Sequence, residues 1–278
     1  MKLAKLEHYG LLLAAGDDAR AFLHAQLTND IENLAPGQAR YAGWCSAKGR
    51  LLATFLVVPC AGGFLLQLSR DLVLTVAKRL SMFVLRSRVK ISDVTGLWAQ
   101  YGAWGPGTGD RLAVSESEGS ITVGIEPDRF LVFAPAASSG RFSPNASPDD
   151  WTLAEVRAGR PLIAQATQDQ FVPQMVNLEL AGGVDFGKGC YPGQEIVARA
   201  QYRGAVKRRM VHLRGAVLQP GQELFSDDAP GQPSGIVVNA AGDESLAVLQ
   251  VAAIETKSPI RAQPQAATLE ILPLPYSR

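Results

Sequence analysis

Apolar positions along the chain change period several times, and each change marks an element. Phe22, Leu23 and Leu27 recur at helical spacing behind Asp17 and Asp18, which can cap a helix, and Thr28-Asn29-Asp30 breaks it. The runs Leu51–Val58 and Phe64–Leu68, bounded by Pro59 and Ala61-Gly62-Gly63, predict two strands joined as a hairpin. Asp71 opens a second helix with Val73, Val76, Leu80 and Phe83 on one side, followed by strand-like Val89–Ile91 and Leu97–Tyr101. Ile121–Ile125 and Phe130–Phe133 flank Glu126-Pro127-Asp128-Arg129, a tight-turn sequence between two further strands. From Ala134 to Asp150 the chain is rich in Ala, Ser, Gly, Pro and Asn, as an exposed loop would be. Ser147-Pro148-Asp149-Asp150 then combines an N-cap, a proline at the first helical position and acids in the first turn, and Gly159 and Pro161 stop the helix through Trp151–Ala158. Beyond Val206, short runs such as Met210–Leu213, Gly235–Val238 and Leu246–Val251 alternate with Pro and Gly turns, which predicts an all-β module, a small barrel. The fold class is therefore α+β, with a boundary near residue 205 dividing residues 1–205 from a barrel over 206–278.

Composition narrows the functional classes. A chain of 278 residues, 47% hydrophobic and 19% charged, can bury more than one core. The net charge of +1 gives no global field for nucleic acid or anionic membrane, so such contacts must come from a local patch. The apolar run Leu11–Ala15 meets Asp17 and Asp18 too soon for a signal peptide or a spanning helix, so a cytoplasmic location and no membrane partner are expected. Cys45, Cys60 and Cys190 are the only cysteines, widely spaced, which argues for reduced thiols and against a disulfide framework. Iron–sulfur clusters usually take four thiolates, so no intrinsic metal centre is expected, and a cluster would have to be shared.

The densest group of unusual residues runs from Gly182 to Glu195. Gly187, Gly189 and Gly193 permit backbone conformations and close ligand approach that a β-carbon would block. Pro192 can sit at the first position of a helix through Gln194, Ile196, Val197 and Arg199, which places Cys190 and Tyr191 just ahead of its unpaired amides. A thiol there, two residues from Lys188, gains thiolate stabilisation from the helix dipole and the cation, so Cys190 and Lys188 are the candidate catalytic residues. Gln194 and Glu195 offer donors and acceptors that either grip the edge of a flat heterocycle or cap the helix. From composition alone, a cysteine between Gly and Tyr reads equally as a small buried residue at a turn, and Lys188 and Glu195 as solvated surface groups.

Lys-Gly-Cys-Tyr-Pro-Gly-Gln-Glu at 188–195 closely resembles the signature of the YgfZ family, which is related to the T-protein of the glycine cleavage system. The likeness extends upstream through Phe171-Val172-Pro173-Gln174-Met175-Val176-Asn177-Leu178 and downstream through Arg199 and Tyr202-Arg203-Gly204. Weaker echoes are Phe22-Leu23-His24-Ala25-Gln26-Leu27-Thr28-Asn29-Asp30 and Lys48-Gly49-Arg50. The resemblance implies a T-protein-like plan of two interlocked α+β domains around a folate pocket, plus a C-terminal β-barrel. It implies tetrahydrofolate or a derivative as cofactor, with Asn29, Arg157, Asp185, Tyr191, Gly193, Gln194, Glu195 and Arg199 as candidate folate contacts. It also implies a role in assembly or repair of iron–sulfur enzymes, including tRNA-modifying ones, with those enzymes or assembly proteins as partners and Cys190 as a possible shared cluster ligand. Two departures from the true aminomethyltransferase stand out. Arg157, in Glu155-Val156-Arg157-Ala158-Gly159, falls where T-protein carries the glutamate that holds the pterin, and an arginine cannot accept the ring's N–H donors. Leu51-Leu52-Ala53-Thr54-Phe55 lacks the paired aspartates that supply T-protein's catalytic carboxylate.

Two other functions compete. One is a folate-dependent one-carbon transferase of aminomethyl type, weakened by the missing aspartates. The other is a non-enzymatic RNA or partner-binding scaffold, suggested by Arg199, Arg203, Lys207, Arg208, Arg209 and Arg214 near the barrel junction, with Lys207, Arg208 and Arg209 as a weak tRNA contact. The same charges also suit a solvated strand edge. Gly105-Pro106-Gly107-Thr108-Gly109 lacks the lysine and spacing of a phosphate loop and reads as a surface turn. His8, His24 and His212 show no metal-binding spacing and read as surface or satisfied core positions.

Overall fold

The computed structural model describes residues 1–106, 110–204 and 206–276. Its strands are β1 (Lys2–Lys5), β2 (Tyr9–Ala15), β3 (Arg40–Cys45), β4 (Leu51–Cys60), β5 (Gly63–Ser69), β6 (Lys90–Asp93), β7 (Trp98–Trp104), β8 (Val114–Ser117), β9 (Ser120–Glu126), β10 (Arg129–Pro135), β11 (Arg208–Arg214), β12 (Glu223–Ser226), β13 (Pro233–Ala241), β14 (Glu244–Gln250), β15 (Ile260–Arg261) and β16 (Thr268–Leu272). The α-helices are α1 (Ala19–Gln26), α2 (Val73–Ser81), α3 (Pro148–Arg157), α4 (Gln194–Tyr202) and α5 (Val251–Glu255).

The chain interlocks two sheets at its first turn. β1 joins a sheet of order β1-β7-β10-β9-β8, while β2, which follows at once, joins a second sheet of order β3-β4-β5-β2-β6. The chain thus enters one domain, builds the whole of the other, and returns. β4 is the pivot, because its run from Leu51 to Val58 is buried on both faces. Phe55 and Val57 face the core shared with α1, α2 and part of the barrel, whereas Leu56 and Val58 face the core between the two sheets. A strand covered on both sides has no polar face, so its sequence does not alternate. The strands β11-β14-β13-β12-β15-β16 close into a barrel through pairing of β16 with β11, with a core of its own around Leu213, Leu224, Val237 and Leu249.

Several local expectations change in detail. Asp18 takes the N-cap position of α1 but makes no capping bond; its Oδ2 accepts instead from the Arg88 amide at 2.7 Å. α2 ends at Ser81, so Phe83 leaves the buried stripe and stands exposed beside Trp44, ring centroids 6.3 Å apart. Ser147 caps α3 by accepting from the Asp149 amide, Pro148 is the first helical residue, and Gly159 ends the turn at φ +66°. Ala205, at the expected boundary, and residues 107–109 of the Gly105–Gly109 turn lie outside the described residues. α4 ends at Tyr202 and the barrel's first strand begins at Arg208. Among the described residues, no helix is long and apolar enough to cross a membrane.

Candidate functional site

The segment 182–195 is fastened to the end of α1. Thr28 Oγ1 donates to the Gly183 carbonyl at 2.6 Å, and the Asp185 amide donates to the Thr28 carbonyl at 2.9 Å. Asp185 Oδ1 accepts from the Gly187 amide at 2.8 Å, closing the loop on itself. Lys188 is only 8% exposed; its Nζ donates to the His24 carbonyl at 2.6 Å and the Gly189 carbonyl at 3.1 Å, and sits 4.8 Å from the centre of the Tyr191 ring. Burial pulls the Lys188 ammonium down to about 8, while the neighbouring Asp30 and Asp185 oppose the shift. Tyr191 is buried, and its hydroxyl is pushed up by the same desolvation. Cys190 points outward and is exposed.

The geometry corrects the expected roles. The helix starts at Gln194 with Gly193 as its cap at φ +78°, so Pro192 lies before the cap, and Tyr191, Pro192 and Gly193 all separate Cys190 from α4. Lys188 turns its ammonium to two carbonyls and an aromatic ring, acting as a post that holds the loop. Gly193 is required by packing within the chain: a β-carbon there would lie 2.4 Å from the Ser46 carbonyl oxygen and 2.6 Å from Gly49 Cα.

A second locus lies between the two sheets, α3 and the barrel. This cavity, with about 780 Å³ of empty space partly open to solvent, has aromatic and aliphatic walls from Tyr9, Tyr41, Phe55, Leu56, Leu131 and Trp151. Its polar groups include His8, Thr54, Gln67, Glu155, Arg160 and Asn239. Glu155 Oε1 accepts from Arg129 Nη1 at 2.9 Å and Arg160 Nη1 at 2.7 Å. Arg160 also pairs with Glu126, donates to the Ile125 carbonyl at 3.2 Å, and lies over the Tyr41 ring. Two buried polar atoms on this lining have no partner among the described residues, Arg160 Nε and His8 Nε2. Desolvation holds the His8 imidazole below its ordinary pKa and pushes the Tyr41 hydroxyl up to about 12. An apolar slot with a carboxylate acceptor and an unpaired guanidinium N–H matches the donor and acceptor edge of a flat heterocycle such as a pterin, so the residues present fit a folate ring.

None of Asn29, Arg157, Asp185, Tyr191, Gly193, Gln194, Glu195 or Arg199 lines this cavity. Arg157 faces the barrel, with Nη2 2.6 Å from Glu244 Oε1, and Glu244 also meets His212 at 2.8 Å. The cavity-facing carboxylate of α3 is Glu155, so Arg157 does not displace the acceptor on the cavity wall. Asn29 is buried and committed to backbone, its Nδ2 donating to the carbonyls of Tyr41 at 2.7 Å and Gly182 at 2.8 Å. Thr54 places a neutral hydroxyl at the cavity wall, where it accepts from the Ile163 amide. Within the basic patch, Arg209 is turned inward to the Gln174 carbonyl and Glu179, and so is not a free surface cation; Arg214 pairs with Glu270. Of the histidines, His212 is the satisfied core position expected, whereas His8 departs from expectation, because its Nε2 is a buried orphan in the cavity.

The model of the GCVT N-terminal domain matches residues 2–122. The chain is 31% identical to tRNA-modifying protein YgfZ of Klebsiella pneumoniae, covering 100% of this chain and 93% of that protein. It is 30% identical to the protein of the same name from Cronobacter sakazakii, with the same coverage. The crystal structure of glycine cleavage system aminomethyltransferase T from Bartonella henselae superimposes with a TM-score of 0.72 at 16% identity, covering 99% of this chain and 85% of that one, so the two share a fold.

Proposed function

The chain belongs to the YgfZ family, and on that premise we propose that it is a folate-binding factor for tRNA modification, working through Cys190 at the iron–sulfur cluster of a partner enzyme. The observation that carries the folate half is the cavity with its paired Glu155 and unpartnered Arg160 Nε. Glu155 would accept the heterocycle's N–H donors, Arg160 Nε would donate to a ring acceptor, and Trp151 and Tyr41 would exclude water from its faces. Tetrahydrofolate, when bound, supplies a reduced pterin able to carry one-carbon units.

The thiol half rests on exposure. Cys190 is the exposed thiol of the three, on a loop held by Lys188 and Thr28. Among the described residues, no three His, Cys, Asp or Glu side chains are grouped to hold a metal ion. Cys190 would therefore offer one sulfur to a cluster that the partner carries, outside the folate cavity.

Calorimetry with tetrahydrofolate under reducing conditions tests the cavity. Saturable binding to the parent should weaken about ten-fold or more in Glu155→Gln, which exchanges charge-assisted hydrogen bonds for weaker neutral ones, and should persist in Cys190→Ala. Absence of saturable binding to the parent would refute the folate reading. Cys190→Ala that restores cluster-enzyme activity to a deletion strain as fully as the parent would refute the thiol reading.

A further inference from the structure

The outer face of α4 carries a second arrangement that neither the cavity nor the thiol explains. Arg199 and Arg203 stand one helical turn apart, and Tyr202 shares their face at i+3 from Arg199. With Glu195 and Ala198 these side chains line an open groove. Tyr202 is 70% exposed, and Phe186 meets its ring edge-on at 5.9 Å, which steadies the ring and leaves it accessible. Among the described residues Arg199, Arg203, Lys207 and Arg208 form no ion pair, whereas their neighbours Arg209 and Arg214 are matched to Glu179 and Glu270. Glu195 is the single acid of the groove lining.

Unmatched cations attract a polyanion, and the ring selects among polyanions. An accessible tyrosine between arginines suits unstacked bases, which lie on aromatic and guanidinium planes while nearby cations take the phosphates. Duplex RNA keeps its bases stacked and would use only the charges. The groove also continues the Cys190 loop, since α4 begins directly after Pro192 and Gly193, and its nine residues span about 13 Å. We propose that this face of α4, with Lys207 and Arg208, binds a single-stranded loop or end of a tRNA by stacking a base on Tyr202. The choice of tRNA rests on the reading above; the preference for unpaired bases rests on the groove itself.

The test is fluorescence anisotropy with a labelled unmodified tRNA transcript and a fully paired RNA duplex of equal length, titrated over a range of salt. The proteins are the parent, Tyr202→Ala and the double variant Arg199→Glu/Arg203→Glu, each checked for a parental melting temperature and for parental tetrahydrofolate binding. The tRNA should bind more tightly than the duplex. Tyr202→Ala should weaken tRNA binding about ten-fold with little change in salt slope and leave the duplex unaffected, while the charge reversal should weaken both and flatten the slope. Equal affinity for tRNA and duplex, tRNA binding unchanged by Tyr202→Ala, or no tRNA binding at physiological salt would each overturn the proposal. Those results with folate binding intact would leave the cavity reading standing, because no residue altered here lines it.

Discussion

Gly193→Ala should be the most damaging single methyl that can be added to the Cys190 loop, and the cost can be worked out from the backbone around it. Gly193 holds φ +78° at the cap of α4, a conformation that costs an L-residue about 1–2 kcal/mol. The new methyl would meet backbone: the Ser46 carbonyl oxygen at 2.4 Å and the Gly49 nitrogen at 2.6 Å. That turn cannot step aside easily, because Ser46 and Arg50 are bonded amide to carbonyl at 2.8 Å and the Gly49 amide donates to the Ser46 carbonyl at 2.8 Å. Overpacking of this kind adds about 1–3 kcal/mol, for a total of about 2–5 kcal/mol. In a chain of this size that corresponds to a fall in melting temperature of roughly 5–15 °C. Gly187→Ala and Gly189→Ala are the internal controls, since their methyls would find nothing nearer than Asp185 Oδ1 at 3.3 Å and His24 Nε2 at 3.4 Å. Thermal denaturation of the three variants followed by circular dichroism decides the matter. A Gly193→Ala protein melting within about a degree of the parent, or controls melting as low as Gly193→Ala, would refute the claim that Gly193 serves packing within the chain.

Two further outcomes follow from burial and charge. Brief treatment of the native protein with iodoacetamide at pH 8 should label Cys190 first, because Cys60 is half-buried with its thiol pushed up to about 11 and Cys45 is buried and shifted further in the same direction; peptide mass spectrometry showing Cys60 or Cys45 modified ahead of Cys190 would contradict the structure. Lys188 titrates at about 8 in the folded state against an ordinary 10.5, so between those values the unfolded chain holds more protons and the residue's contribution to stability rises with pH. The urea midpoint of the parent should therefore gain on that of Lys188→Met from pH 8 to pH 10.5, and a difference that stays flat or moves the other way would show that Lys188 is not desolvated as described.

The loop was legible in the sequence and the cavity was not, for physical reasons. Gly187, Lys188, Gly189, Cys190 and Pro192 are adjacent in the chain, so their unusual composition shows in one window. The ends of α3 were equally readable, because Ser147, Pro148 and Gly159 act through local backbone chemistry. The cavity draws His8, Tyr41, Glu155 and Asn239 from separate segments, none of which looks special by itself. Arg157 misses the cavity that Glu155 lines for a reason of helical phase: two residues along a helix turn the side chain about 200°, to the opposite face. Trp151 offered the missing signal, since a large apolar residue four positions before Glu155 marks the inward face of α3, and both line the cavity. The helix starts two residues after Pro192 because Gly193 takes the cap position at φ +78°, packed against Ser46 and Gly49, which lie far away in the chain.

The separation of the cavity from Cys190 also reassigns Asn29. As a folate contact it would point into the cavity; instead its amide spans the carbonyls of Tyr41, whose ring is part of the cavity wall, and Gly182, where the Cys190 loop begins. Thr28 repeats the link one residue earlier, accepting from the Gly43 amide at 2.7 Å and donating to the Gly183 carbonyl. Both bridges join β3 to the loop through hydrogen bonds that are buried at Thr28 and part-buried at Asn29, and such bonds resist independent motion of their ends, because leaving a buried polar group unpaired costs about 1–3 kcal/mol. Tyr41, on the cavity wall, and the loop that carries Cys190 are thereby tied to the same strand, β3, by two side chains.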